Sequence, residues 1–285
     1  MSKMYVLGSL NMDVVIESDR APSNGETIEG RNFRTCPGGK GLNQAIAAAK
    51  LGADVRMLGA VGDDVFGKAM LKALEDNKVN IKDIKVIEDA VSGIAIIQLI
   101  RGDNRITLDL GANLKLENYN VNAFLAGAEK GDVFLTQLEN DVEIVGYALK
   151  VAKSKGMITI LNPAPANEKI VKYLEFVDIF TPNETEYDAF SGDDFFVKNV
   201  VITRGADGYE YITKEGVIKG EAPEVDVIDT TGAGDTFNGA LAYKLSLGEE
   251  LNKKTLDFAT RAASISVTRL GSSVSSPTLE EVLKF

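Results

Sequence analysis

The stretch VFLTQLENDVEIVGYALKVAKSKGMITIL, Val133 to Leu161, holds the organisation of the whole chain in one unit. Apolar Val133–Thr136 reads as a strand, Val142–Ser154 as an amphipathic helix and Met157–Leu161 as a second strand. Strands joined through a helix pair in parallel, because the crossover returns the chain to the same end of the sheet. The rhythm continues outward in both directions. Upstream lie strand Lys3–Leu7, the alanine-rich helix Leu42–Leu51, strand Val55–Val61 and helix Val65–Asn77; downstream come strands Val177–Thr181 and Val200–Thr203. The expected fold class is a layered α/β domain on a largely parallel sheet. Ligands on such sheets bind beyond the C-terminal ends of the strands, so the loops there are where chemistry belongs.

Two segments break the rhythm. Thr27–Arg34 and Ser92–Asp109 read as strands with no intervening helix, the second pair turning at Gly102-Asp103-Asn104. A small antiparallel sheet outside the main layers is expected, serving either as a lid over a site or as a structural or dimerising flap. Beyond Asp207-Gly208, strands Tyr209–Thr213 and Val217–Gly220 meander and two final helices follow. No internal repeat, low-complexity tract or linker divides the chain, so residues 1–285 read as one domain with insertions near 12–34 and 92–110.

Absences narrow the chemistry. The chain has no histidine, which removes Ser-His-Asp and Cys-His machinery and histidine-ligated metals. A general base must then be a carboxylate, a lysine or a tyrosine. The single cysteine, Cys36, makes neither an internal disulfide nor a thiolate zinc site. A net charge of −11 argues against a nucleic-acid partner, which needs a basic stripe. Apolar runs such as Ala95-Ile96-Ile97 fall far short of a membrane span, and no secretion signal opens the chain. A cytoplasmic protein with no membrane partner is the expectation.

The sharpest motif is Asp229-Thr230-Thr231-Gly232-Ala233-Gly234-Asp235-Thr236-Phe237-Asn238-Gly239, small residues leading into a helix. Gly232, Ala233 and Gly234 let backbone N–H groups approach an anion at the positive end of that helix. Asp235 in the first turn could be an ordinary acidic cap. Beside an anion hole it could also deprotonate an acceptor hydroxyl, which is what phosphoryl transfer requires. A second constellation, Pro37-Gly38-Gly39-Lys40-Gly41-Leu42-Asn43, combines permissive glycines with the directed donors of Lys40 and Asn43. Asn11 and Asp13 follow the first strand; together they suit a polyhydroxyl ligand, although turn chemistry alone could account for them. Gly62-Asp63-Asp64-Val65-Phe66-Gly67-Lys68 imitates a P-loop, but Ala69 lacks the magnesium-binding hydroxyl and two aspartates would face the phosphates.

These motifs, with Gly8–Asp13, Gly25-Glu26-Thr27, Gly38–Gln44, Leu161–Ala166 and Pro182–Glu186, resemble the ribokinase-like sugar kinases, the phosphofructokinase B group, nearly end to end. The resemblance implies a Rossmann-like three-layer domain with a β-sheet lid, often clasping a second subunit into a homodimer. It implies transfer of the ATP γ-phosphate to a primary hydroxyl, with magnesium required. Carried over by motif, Asp235 is the base, and Gly232, Ala233 and Gly234 form the anion hole. Asn11, Asp13, Gly39, Lys40, Asn43 and Glu139 meet the sugar. Asn183, Thr203, Gly205, Gly208, Gly234 and Thr260 fall at the nucleotide. Glu186 belongs to the magnesium environment, or to a solvated helix face. Asp229, Thr231, Ser266, Arg269, Gly271 and Ser275 match a monovalent cation site, implying activation by potassium.

The complete sugar-binding set favours D-ribose, giving D-ribose 5-phosphate. The alternatives are a kinase for fructose, deoxyribose or adenosine, and a non-catalytic sugar- or nucleotide-binding regulator. Two departures stand out. The interval from Ser191 to Val200 has no room for the helix usual there, and Thr260 replaces an amide expected near the adenine.

Overall fold

A computed structural model describes residues 2–101, 103–190 and 197–285. The strands are β1 (Met4–Leu7), β2 (Asn11–Ser18), β3 (Arg31–Gly38), β4 (Val55–Leu58), β5 (Ala60–Gly62), β6 (Lys85–Ile87), β7 (Gly93–Ile100), β8 (Asp103–Asp109), β9 (Val133–Thr136), β10 (Ile158–Leu161), β11 (Ile179–Phe180), β12 (Asn199–Thr203), β13 (Tyr209–Thr213) and β14 (Gly216–Gly220). The helices are α1 (Lys40–Lys50), α2 (Val65–Asp76), α3 (Asn118–Leu125), α4 (Val142–Ser154), α5 (Glu184–Ala189), α6 (Ala233–Ser246), α7 (Lys253–Ser266) and α8 (Leu279–Lys284).

The main sheet runs β14-β13-β12-β11-β10-β9-β1-β4, with every pair from β4 to β12 parallel and β13 and β14 antiparallel. Side chains alternate across a strand, so a strand covered on both faces is apolar throughout. β1 obeys this: Met4 and Val6 enter the core under α1, α6 and α7, while Tyr5 and Leu7 enter the opposite core with Phe124 and Leu149 of α3 and α4. Two cores on one sheet make the three-layer arrangement.

The small sheet has the order β3-β2-β7-β8. Its outer pairs are antiparallel, but the central pair β2–β7 is parallel, so the sheet is mixed rather than antiparallel. β2 and β7 both run outward from the main body while β3 and β8 return, which fixes that pairing. β3 spans Arg31–Gly38, later than the expected Thr27–Arg34.

Other boundaries moved for local reasons. The expected strand Val55–Val61 divides at Gly59: β4 joins the main sheet and β5 pairs with β6. Strand Val177–Thr181 shrinks to two residues because Val177 N–H closes the preceding turn on Leu174 O at 3.0 Å. Three helices, not two, follow β14, the last being a six-residue helix with a Thr278/Glu281 capping box. Helix α3 escapes sequence reading because three of its eight residues are asparagine, a weak helix former. The P-loop imitation is a helix cap, with Asp64 accepting from Gly67 N–H at 2.7 Å. Of the interval Ser191–Val200, residues 191–196 lie outside the described residues, as does Gly102 of the expected turn.

Candidate active site

The loops after β1, β9 and β10 converge on the start of α1. There Gly8 and Gly41 touch backbone to backbone: a Cβ on Gly41 would lie 2.4 Å from Gly8 C. This contact brings the residues after β1 against the first turn of α1. Lys40 N–H donates to Glu139 Oε2 at 3.1 Å, and the same oxygen accepts from Ser9 Oγ at 2.5 Å and Asn11 Nδ2 at 3.2 Å. Asn11 is itself oriented, its Oδ1 accepting from Asn113 Nδ2 at 2.8 Å. Asn113 also pairs with both backbone groups of Leu10, at 2.9 and 3.0 Å. Asp13 lies against Gly38, where a Cβ would come within 2.5 Å of Asp13 Oδ2. The predicted sugar set Asn11, Asp13, Gly39, Lys40, Asn43 and Glu139 is thus gathered on one wall.

Helix α6 meets this wall. Gly232 caps it in the left-handed region (φ 78°), a conformation that favours glycine. Asp235 in the first turn is only 7% exposed. Its Oδ2 accepts from Asn43 Nδ2 and its Oδ1 from Gln44 Nε2, each at 3.0 Å. Asn43 Oδ1 is buried without a hydrogen-bond partner in the protein. Of the three amides expected to form the anion hole, that of Ala233 closes a turn onto Thr230 O at 3.2 Å.

The ionisable groups feel one another. Burial raises the Asp13 carboxyl to about 7, helped by the charges of Glu139 and Asp235. Burial acts against the Lys40 ammonium, but Asp235, Glu139 and Glu186 outweigh it and the net shift is upward. Burial likewise raises Glu186, against the pull of the Asn183 amide and Lys40. Lys40 is therefore the cation shared by the sugar side and the nucleotide side.

On that second side opens a cavity of about 1070 Å³. Asn183, Thr203, Gly205, Gly208, Gly234 and Thr260, all predicted for ATP, line it. So does the irregular segment Ala222–Val227, which carries no periodic signal and was not anticipated. Thr260 turns its hydroxyl back onto Leu256 O at 2.9 Å. Glu186 sits in a capping box with Asn183, its Oε2 accepting from Asn183 N–H at 2.8 Å, so it serves a structural task as well. A separate, more open groove of about 890 Å³ lies where Lys219, Lys244, Lys253 and Arg261 gather; none of the predicted site residues lines it.

Beside α6, Asp229 Oδ1 accepts from Thr231 N–H at 2.9 Å and Oδ2 from Gly271 N–H at 3.0 Å. Burial opposes the Asp229 charge, but these donors prevail and hold its carboxyl below the ordinary range. The Oγ atoms of Ser266 and Ser275 turn back onto Ala263 O and Ser272 O, at 2.8 and 2.7 Å, and Arg269 pairs with Glu281 at 2.5 Å.

A buried carboxylate set between a cluster of polar side chains and a large cavity lined by its neighbour Gly234, at the head of a helix, is the arrangement of a small-molecule phosphotransferase. A family model for "pfkB family carbohydrate kinase" matches residues 1–279, and the chain belongs to that family. Ribokinase of Bacillus subtilis (strain 168) is 40% identical to it over 290 residues, 99% of this chain and 98% of the relative. A deoxyribokinase of Salmonella typhi is 33% identical over 297 residues, covering 97% and 96% of the two chains. The structure of Arabidopsis thaliana ribokinase complexed with ribose and ATP superposes with a TM-score of 0.89 at 31% identity, over 99% of this chain and 98% of that one.

Proposed function

We propose that the protein is an ATP-dependent ribokinase, transferring the γ-phosphate of ATP to the primary hydroxyl of D-ribose and releasing ADP. The observation that carries the reading is Asp235, fixed by Asn43 and Gln44 at the junction of the sugar wall and the nucleotide cavity. Asp235 takes the proton of the acceptor hydroxyl as its oxygen bonds to the γ-phosphorus. The bond from that phosphorus to the bridging oxygen breaks, and ADP leaves. The amides of Gly232, Gly234 and Asp235 steady the migrating charge, with no reorganisation at the moment of transfer. Asn11, Asp13, Asn43 and Glu139 read the sugar hydroxyls. A ligand lacking one of them leaves a buried partner unpaired, which is how such pockets discriminate.

Among the described residues no group of three or more acidic or cysteine side chains stands ready to hold a metal. Magnesium would enter with the nucleotide phosphates, neutralising their charge, and Glu186 is the carboxylate this chain offers to its water shell. Asp229, Thr231, Ser266, Arg269, Gly271 and Ser275 would hold potassium through carbonyl oxygens and the ionised Asp229. Such a cation would stiffen and polarise the neighbouring turn.

The chain works as a single kinase domain, with the small sheet from insertions 12–34 and 92–110 as its lid. Asp13, Ala95 and Leu108 share one rung of that sheet, and Val15, Ile97 and Ile106 the next on the same face. The face that brings Asp13 to the sugar is thus apolar further out, with Ile106 60% exposed; this suits closure over ligand or against a second copy as a homodimer. Placement in the cytoplasm is part of this reading; among the described residues no helix is long and apolar enough to cross a membrane.

The test is ADP release from a panel of D-ribose, 2-deoxyribose, fructose and adenosine, with magnesium, in the presence and absence of potassium. Highest kcat/KM for ribose, stimulated by potassium, is expected. A higher kcat/KM for any other acceptor overturns the assignment of ribose. Tight ribose binding without turnover overturns catalysis.

A further inference from the structure

Behind the base lies a chain of buried amides that the reaction as described does not use. Gln44 is fully buried, with both amide hydrogens and its carbonyl oxygen engaged. Its Nε2 donates to Asp235 Oδ1 at 3.0 Å and to Asn162 Oδ1 at 3.1 Å. Its Oε1 accepts from Gln137 Nε2 at 2.6 Å. The acceptor oxygens of Asp235 and Asn162 decide which way the Gln44 amide faces, because a reversed Gln44 would set oxygen against oxygen at both; the fully buried Gln137 follows it, its own Oε1 without a partner. The chain then runs on. Asn162 Nδ2 donates to Thr181 O at 2.8 Å, Thr181 Oγ1 to Asn238 Oδ1 at 2.6 Å, and Asn238 Nδ2 to Gly234 O at 2.8 Å. That last carbonyl belongs to the peptide whose N–H is on Asp235. In a planar trans peptide the two point in opposite directions, so fixing Gly234 O aims the Asp235 N–H out of the helix start.

We infer that Gln44 is a positioning residue for the phosphoryl-transfer step. Anchored by Asn162, whose own amide is fixed on Thr181 O, it holds the Asp235 carboxylate in register with the amides that receive the phosphoryl group. The base and its anion hole are thus set by one network rather than by two independent loops. Gln44 itself reaches neither the nucleotide cavity nor the sugar wall, and it acts only through Asp235 and Asn162. The inference rests on Asp235 being the base.

The experiment measures kcat, KM for ribose, KM for ATP and thermal midpoint in Gln44→Leu, Gln44→Glu, Asp235→Asn and the double variant Gln44→Leu/Asp235→Asn. Gln44→Glu keeps the size of the side chain and its acceptor toward Gln137, so it reports on the donors even where Gln44→Leu folds poorly. A lost hydrogen bond to a charged group predicts a fall in kcat of about 10- to 100-fold for either Gln44 variant, with both KM values within about threefold. The double variant is expected to be no slower than Asp235→Asn, because groups that act as a unit are not additive. Wild-type kcat in Gln44→Glu, or a double variant slower than Asp235→Asn by the full Gln44→Leu factor, overturns the positioning role. If Asp235→Asn itself keeps its kcat, the base assignment fails and takes the inference with it. An inactive Asp235→Asn beside active Gln44 variants sinks the inference alone.

Discussion

The two halves of the site are built from different materials. On the side proposed for the sugar, side chains face one another and are bonded to one another. Glu139 Oε2 takes three donors, and Asn11 is oriented by a buried Asn113. On the nucleotide side glycines, small residues and an irregular strip from Ala222 to Val227 make up most of the wall, with Asn183, Glu184, Phe237 and Val267 among them. A pocket of preset side chains reads individual hydroxyls, because each missing partner leaves a desolvated group unpaired. A pocket of backbone accepts phosphates and a flat base with less discrimination. The acceptor should therefore be the tightly specified substrate and the nucleotide the more loosely held one.

The largest expected effect is where the halves meet. Asp235→Asn keeps the shape and the amide contacts but cannot take a proton, so kcat should fall about 10²–10⁴-fold with both KM values near wild type. Rapid-quench or steady-state kinetics decide it, and a kcat near normal would place the base elsewhere. Next come the sugar-wall truncations. Lys40→Ala and Asn43→Ala should raise KM for ribose by roughly 5- to 150-fold, equivalent to about 1–3 kcal/mol for an unpaired buried group. The KM for ATP should move much less, and equal effects on both substrates would erase the contrast between the halves. Asn43→Ala should also depress kcat, since Asn43 Nδ2 bonds the base.

A subtler difference is titratable. Asp13 is raised to about 7 by burial, Glu139 and Asp235, so near neutral pH it changes charge in the folded protein. A raised carboxyl favours folding below its ordinary range, where both states are protonated. As pH climbs toward about 7, the unfolded chain releases the proton while the folded chain still holds it, and that contribution is lost. Sugar hydroxyls donating to the carboxylate act in the opposite sense. Relative to Asp13→Asn, the ligand-free wild type should lose thermal stability across that window, and ribose should restore it. KM for ribose should rise as pH falls below about 7, and this trend should vanish in Asp13→Asn. A pH-independent KM in the wild type would show that Asp13 does not bind the sugar.

How much of this could be read beforehand depended on whether position in the chain carried the information. The parallel sheet was legible because each strand and helix announces itself locally, and β9–α4–β10 falls within two residues of its reading. Asp235, Asn43 and Lys40 were legible because glycine-rich helix starts are rare and chemically suggestive. Asn113 and Gln137 were not. Each is an isolated polar residue whose role comes from a partner far along the chain, as with Asn113 and Leu10, 103 residues apart. Gln44, Asn162 and Asn238 lay inside quoted motifs without a role attached. Two buried amides in an otherwise apolar, alanine-rich helix were the available signal. The parallel β2–β7 pairing could not be read at all, because strand direction in an insertion depends on where the chain leaves the main sheet.

The smallest expected effect tests whether the nucleotide side is as loosely specified as its wall suggests. Glu186 Oε2 accepts from Asn183 N–H at 2.8 Å, and its burial raises its pKa while Lys40 draws it down. Glu186→Gln keeps the cap, since a carboxamide oxygen accepts the same bond, but removes the charge that magnesium would feel through water. Stability should stay within about 0.5 kcal/mol of wild type, as a conservative change at a cap implies. The apparent magnesium requirement should rise several-fold while KM for ribose stays put. Should the substitution instead leave magnesium dependence untouched and lower the thermal midpoint, Glu186 is a helix cap and nothing more. The nucleotide half would then hold its metal without Glu186.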